Sequence, residues 1–145
     1  MHPRSVRLMG SVAIVALALT SVISCATAPT GLVVALPNSY YLTPDKDGLQ
    51  TQLVRRDGGH LLQGHVAAYA VSGQIVAGAV GDVQRGRLYT NEEPFKGGPD
   101  TRYFILDTGT GKLEFPLEEA AWRKRLQELG VQSDFKIYPL LPWQQ

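Results

Sequence analysis

The sequence predicts an α+β fold: an antiparallel β-meander of about six to eight strands with one C-terminal helix packed on it. Three observations lead there. From Leu32 onward, short apolar or alternating segments are separated by turn residues, the pattern of an antiparallel sheet. Residues 66–71 are apolar on both faces, which requires cover on both sides. A single stretch, 116–130, changes to helical spacing. The chain of 145 residues has a formal charge of +1, a hydrophobic fraction of 44% and 15 glycines, as expected of an ordinary globular domain. No repeat with a period of about 20 to 50 residues is present, so solenoids and propellers are excluded.

The elements follow in order. "LVVAL" and "SYYLT" are the first strands, "PDKDG" at 44–48 turns the chain, and "LQTQLVR" alternates as a strand before the turn "RDGG". In "HLLQGHVAAYAVSGQIVAGAVG", alternation puts Val66, Ala68 and Ala70 on one strand face and Ala67, Tyr69 and Val71 on the other, with Ser72-Gly73 as the hairpin turn. "RYFILD" is a further two-sided strand and "KLEF" returns from it. In "PLEEAAWRKRLQELG", Pro116 suits a first turn, Glu118 and Glu119 sit at the positive end of the dipole, and Gly130 is placed to stop the helix. Trp122, Leu126 and Leu129 form its apolar stripe at i, i+4 and i+7. "FKIYP" is the last strand.

The N-terminus sets the expected address. Arg4 and Arg7 precede an uncharged, largely apolar run from Leu8 to Ser24, the layout of a secretory signal peptide, so 1–24 is read as a signal-peptide helix. The run is at the lower limit for spanning a bilayer and no basic stop-transfer cluster follows it. It ends Val22-Ile23-Ser24-Cys25, and Cys25 is the only cysteine, which excludes an internal disulfide. This segment resembles a bacterial lipobox. The resemblance implies diacylglycerol on Cys25, and Ala26 at the next position, where Asp signals retention at the inner membrane in many Gram-negative species, implies the outer membrane, facing the periplasm. Residues 25–31 are then the lipidated cysteine and a short tether, and 32–145 a single periplasmic domain. Without Arg4 and Arg7, 12 basic residues stand against 13 acidic, a mature charge of −1; neither nucleic acid nor an anionic lipid surface is an evident target.

Few residues suggest chemistry. Asp107-Thr108-Gly109 matches the catalytic tripeptide of aspartic proteases, but that reaction needs two carboxylates about 3 Å apart sharing a proton, and only 38 residues follow Asp107. The alternative is a hairpin turn in which the carboxylate accepts N–H groups two residues on, while Gly109 and Gly111 supply positive φ. His60 and His65, five apart, point to opposite faces of a strand, with no third His or Cys to complete a tetrahedral site; no metal or cofactor is expected. Arg123, Lys124 and Arg125 read as a solvated face paired with Glu119 and Glu128. The segment 82–101 is long for a loop in a compact domain. Its Arg85, Arg87, Tyr89 and Phe95 are residue types favoured at protein interfaces, and form the candidate partner-binding set.

From "RYFILDTGTGKLEF" through "LEEAAWRKRLQELGV" the chain resembles small bacterial lipoproteins to which no activity is assigned, in which a Tyr-Phe-Ile-Leu-Asp strand turns and feeds a helix ending Leu-Gly-Val or Leu-Gly-Ile. The likeness rests on packing and turn residues. The expectation is a lipid-anchored cell-envelope protein that is a binding module and not an enzyme, held to the membrane by acyl chains on Cys25 and engaging another envelope protein or a cell-wall component. An immunity or inhibitor lipoprotein against a periplasmic toxin, and a structural envelope lipoprotein, are the alternatives; a hydrolase using Asp107 ranks last.

Overall fold

The computed structural model describes residues 34–47, 50–62, 64–81 and 92–140. Strands β1 (Val34–Leu36), β2 (Tyr40–Pro44) and β3 (Thr51–Arg55) pair in sequence order as one antiparallel sheet. A second sheet has the order β7-β6-β5-β4-β8, built from β4 (Val66–Ser72), β5 (Ile75–Val80), β6 (Arg102–Asp107), β7 (Lys112–Leu117) and the two-residue β8 (Tyr138–Pro139). One helix, α1 (Glu119–Glu128), lies between β7 and β8. The α+β class and the antiparallel pairing agree with the sequence reading.

The strands form two sheets where one meander was expected, and the connection after β3 explains the break. Gly58 turns the chain back so that Arg55 N–H donates to Gly59 O at 2.9 Å, His60 bridges Val54, and Leu61 N–H donates to Leu53 O at 3.0 Å. The outer edge of β3 is thereby filled by its own return segment, and β4 must start elsewhere. His65 reaches back across this gap: its Nδ1 accepts from Thr51 N–H at 2.8 Å.

The larger sheet is the middle of three layers. On one face Val66, Val76, Phe104 and Leu106 share a core with Leu42 and Leu53 of the small sheet, each side chain stabilising the fold by roughly 1.5–3 kcal/mol through burial. On the other face Ala68, Ala77 and Ala79 join Tyr103 and Ile105 against the helix. Here the strict alternation expected for β4 needs correction. A bulge between Val66 and Ala68 inserts one residue, so Val66 faces the small sheet with Tyr69 while Ala68 and Ala70 face the helix. The β4–β5 turn is also one residue later than expected, at Gly73-Gln74, since Ser72 pairs with Ile75.

Small side chains on the helix-facing side leave room that one large residue fills. Trp122 is 2% exposed, its indole stacked on Tyr103 with ring centroids 4.8 Å apart. Its Nε1–H donates to Phe104 O at 3.1 Å, so its polar atom is satisfied inside the layer. Trp122 and Leu126 are buried and Leu129 packs at the margin, as the stripe predicted. The helix closes at Gly130 (φ 78), with Gly130 N–H donating to Gln127 O and Val131 N–H to Leu126 O, the Schellman arrangement. Its start differs from expectation: Pro116 belongs to β7 and Glu118 is the N-cap. β7 is an edge strand, where a missing N–H is tolerated.

Candidate functional site

Of the four candidate partner-binding residues, Phe95 is placed by the structure; Arg85, Arg87 and Tyr89 lie outside the described residues, as does Cys25. Phe95 is tied down at the backbone, its N–H donating to Ile137 O at 2.9 Å. The chain then turns through 98–101, where Gly98 N–H donates to Thr101 Oγ1 at 2.9 Å, and enters β6. These contacts bring the described end of the 82–101 segment against the start of α1 and the residues leading to β8.

Between them lies a cleft of about 370 Å³, lined by Phe95, Tyr103, Trp122, Arg123, Phe135 and Lys136 among others. Its size is at the lower end for small-ligand pockets, roughly 300–1,000 Å³. Trp122 and Tyr103 form a closed floor, while Phe95 and Phe135 stay partly exposed at the sides. Phe135 meets the indole at a centroid distance of 6.5 Å. The Arg123 guanidinium stands 5.7 Å from the Trp122 ring centroid and is paired with Glu119 at 2.7 Å. Burial pushes the Tyr103 phenol above its usual range, and the Glu119 charge adds to this while Arg123 opposes it. Lys96, Lys136 and Asp134 complete an exposed rim. The arrangement suits an apolar side chain with polar or charged neighbours. Sequence reasoning missed Tyr103, Trp122 and Phe135 as cleft residues. Trp122 was visible only as core, and nothing in the spacing brings Phe135 back to Phe95.

The Asp107-Thr108-Gly109 tripeptide forms the β6–β7 turn. Asp107 Oδ1 accepts from Gly109 N–H at 2.9 Å and Thr110 N–H at 3.2 Å. Thr108 is 4% exposed and its Oγ1 donates to Gln74 O at 2.8 Å. Only Gly111 of the two glycines has positive φ, at 74°. A Cβ at Gly109 would meet the side-chain amide of exposed Gln74, which can swing aside. His60 is exposed and His65 Nδ1 is an acceptor for Thr51. Among the described residues, no group of three or more His, Cys, Asp or Glu could hold a metal ion.

The basic cluster on α1 divides as expected and then goes further. Arg123 pairs with Glu119, and Arg125 with Glu128 at 3.1 Å. Arg125 also reaches Glu114 on β7, Nε to Oε1 2.9 Å, joining the helix to the sheet edge. Burial raises the Glu114 carboxyl, but the hydrogen bond and charge of Arg125, with Lys112, outweigh it and hold the group below the usual carboxylate range. Among the described residues no helix is long and apolar enough to cross a membrane. Compared with protein-family models, with curated proteins and with solved structures, the chain matches none of them.

Proposed function

We propose that this chain is a lipid-anchored envelope protein whose folded body is a binding module, attached through Cys25 and engaging another envelope protein at the cleft around Phe95. The observation that supports the binding role is the placement of Phe95. A residue type common at interfaces is fixed by a backbone hydrogen bond to Ile137 and left partly exposed beside Phe135 and the charged rim. Aromatic anchors of this kind contribute most of the energy in many interfaces. A non-enzymatic role is supported by Asp107, whose carboxylate is engaged by the N–H groups of its own turn. The lipobox-like segment supports the address. Eight residues lie between Cys25 and Val34, a span of about 30 Å at full extension, which keeps the body near the bilayer.

The experiment replaces Phe95 by a photo-crosslinking phenylalanine analogue in the native host and identifies the adduct in envelope fractions. One reproducible protein adduct is expected, absent when the analogue stands at exposed Lys124; no adduct above that control would defeat the binding role. In parallel, Cys25→Ser should abolish incorporation of labelled palmitate and release the protein from the membrane fraction.

A further inference from the structure

A second groove, of about 600 Å³, lies between the corner that joins β1 to β2 and the β6–β7 turn, and shares no lining residue with the aromatic cleft. Two consecutive non-glycine residues at that corner, Asn38 (φ 57) and Ser39 (φ 66), adopt left-handed backbone conformations. Such conformations are costly, persist only where surrounding structure enforces them, and cluster at functional sites. Here the enforcement is visible: Asn38 Nδ2 donates to Thr108 Oγ1 at 3.0 Å, and Thr108 in turn donates to Gln74 O. The Asp-Thr-Gly turn thus clamps the strained corner.

The clamp presents hydrogen-bonding groups to one space. Tyr40 is 8% exposed; its hydroxyl, 3.2 Å from where a Cβ on Gly111 would stand, has no hydrogen-bond partner among the described residues and, since no unpartnered side-chain polar atom among them is buried, opens onto the groove. The same holds for the Ser39 hydroxyl and for the Arg56 guanidinium. Among the lining residues the one carboxylate, Asp57, is already engaged by Arg55 at 3.2 Å and by Gly59 N–H at 2.9 Å. The exposed Arg56 guanidinium, which no acidic side chain of the groove occupies, can grip a carboxylate or phosphate with two parallel bonds. The Tyr40 and Ser39 hydroxyls, which line the same groove, can exchange hydrogen bonds with a neutral polar partner. We propose that this groove binds an acidic saccharide, a sugar bearing a carboxylate or phosphate, with Arg56 on the anion and Tyr40 and Ser39 on ring hydroxyls.

Isothermal titration of the full chain in detergent micelles tests this, with glucuronate, glucose 6-phosphate, glucose and inorganic phosphate as probes. At least one acidic sugar should bind saturably, with glucose and inorganic phosphate each weaker by about tenfold or more, because each lacks one half of the recognition. Arg56→Ala, at an exposed position, should weaken the acidic sugar by about tenfold or more. Tyr40→Phe should weaken it by roughly two- to tenfold. No saturable binding of either acidic sugar, equal affinity for inorganic phosphate and the sugar phosphate, or unchanged affinity in Arg56→Ala would each overturn the proposal.

Discussion

Glu114 shows how one residue acquires a role that its neighbours in sequence do not suggest. Its side chain is 22% exposed and it is held by Arg125 from the helix and Lys112 from its own strand. Because its carboxyl lies below its ordinary value of 4.5 in the folded state, it stabilises the fold above that pH. The contribution is lost as acid protonates it, at pH values below 4.5. Glu114→Gln is therefore expected to lower the thermal midpoint at pH 7 and to flatten its decline below pH 4.5; an unchanged acid slope would contradict the assignment. Partners of Arg123 and Arg125 within the helix were legible, since i, i+4 and i, i+3 neighbours follow from helical geometry. Glu114 was not legible, because only the return of the helix over β7 brings it to Arg125.

Among the elements, β5 shows how closely the strands of the middle layer approach. A Cβ on Gly78 would strike Ala68 O, and would stand 2.6 Å from the Phe104 ring. Gly78→Ala should cost about 1–3 kcal/mol through overpacking, read as a lower urea midpoint with unchanged slope. A shift below about 0.5 kcal/mol would mean that the layer yields more easily than its packing implies. The strands and helix themselves were legible because each is bounded by turn residues and keeps one periodicity. Two local features were not. The bulge at Val66–Ala68 leaves no mark in an all-apolar run, and Pro116 fits a helix start as well as an edge strand.

The whole molecule is expected to unfold as one unit, because the two sheets share a core although, among the described residues, no strand ladder joins them. Leu42, fully buried in the small sheet, packs in the same cluster as Phe104 and Leu106 of β6. Leu42→Ala should destabilise the protein by about 2–5 kcal/mol. It should raise hydrogen exchange in β6 as much as in β2, as in a two-state domain. Faster exchange confined to β1–β3 would show that the small sheet opens independently. At this scale lies the reading most altered by the structure: a single meander becomes three layers. The sequence marks each strand but not its partner, and the outer edge of β3 is closed by residues 59–61.

What the sequence determined by itself is local: the antiparallel strands, the helix and its buried stripe, the use of Asp107-Thr108-Gly109 as a turn, and the presence of an interface-type residue at Phe95. These depend on periodicity, turn chemistry and hydrogen bonds spanning a few residues, all of which short stretches contain. Only the tertiary structure decided which faces meet: that Phe95 joins Phe135 beside Trp122, that Arg125 reaches Glu114, and that Asn38 is clamped by Thr108, 70 residues away. Those pairings follow from the stacking of layers, in which contacts between distant segments are set by burial of common apolar faces, and burial of that kind has no period to read along the chain.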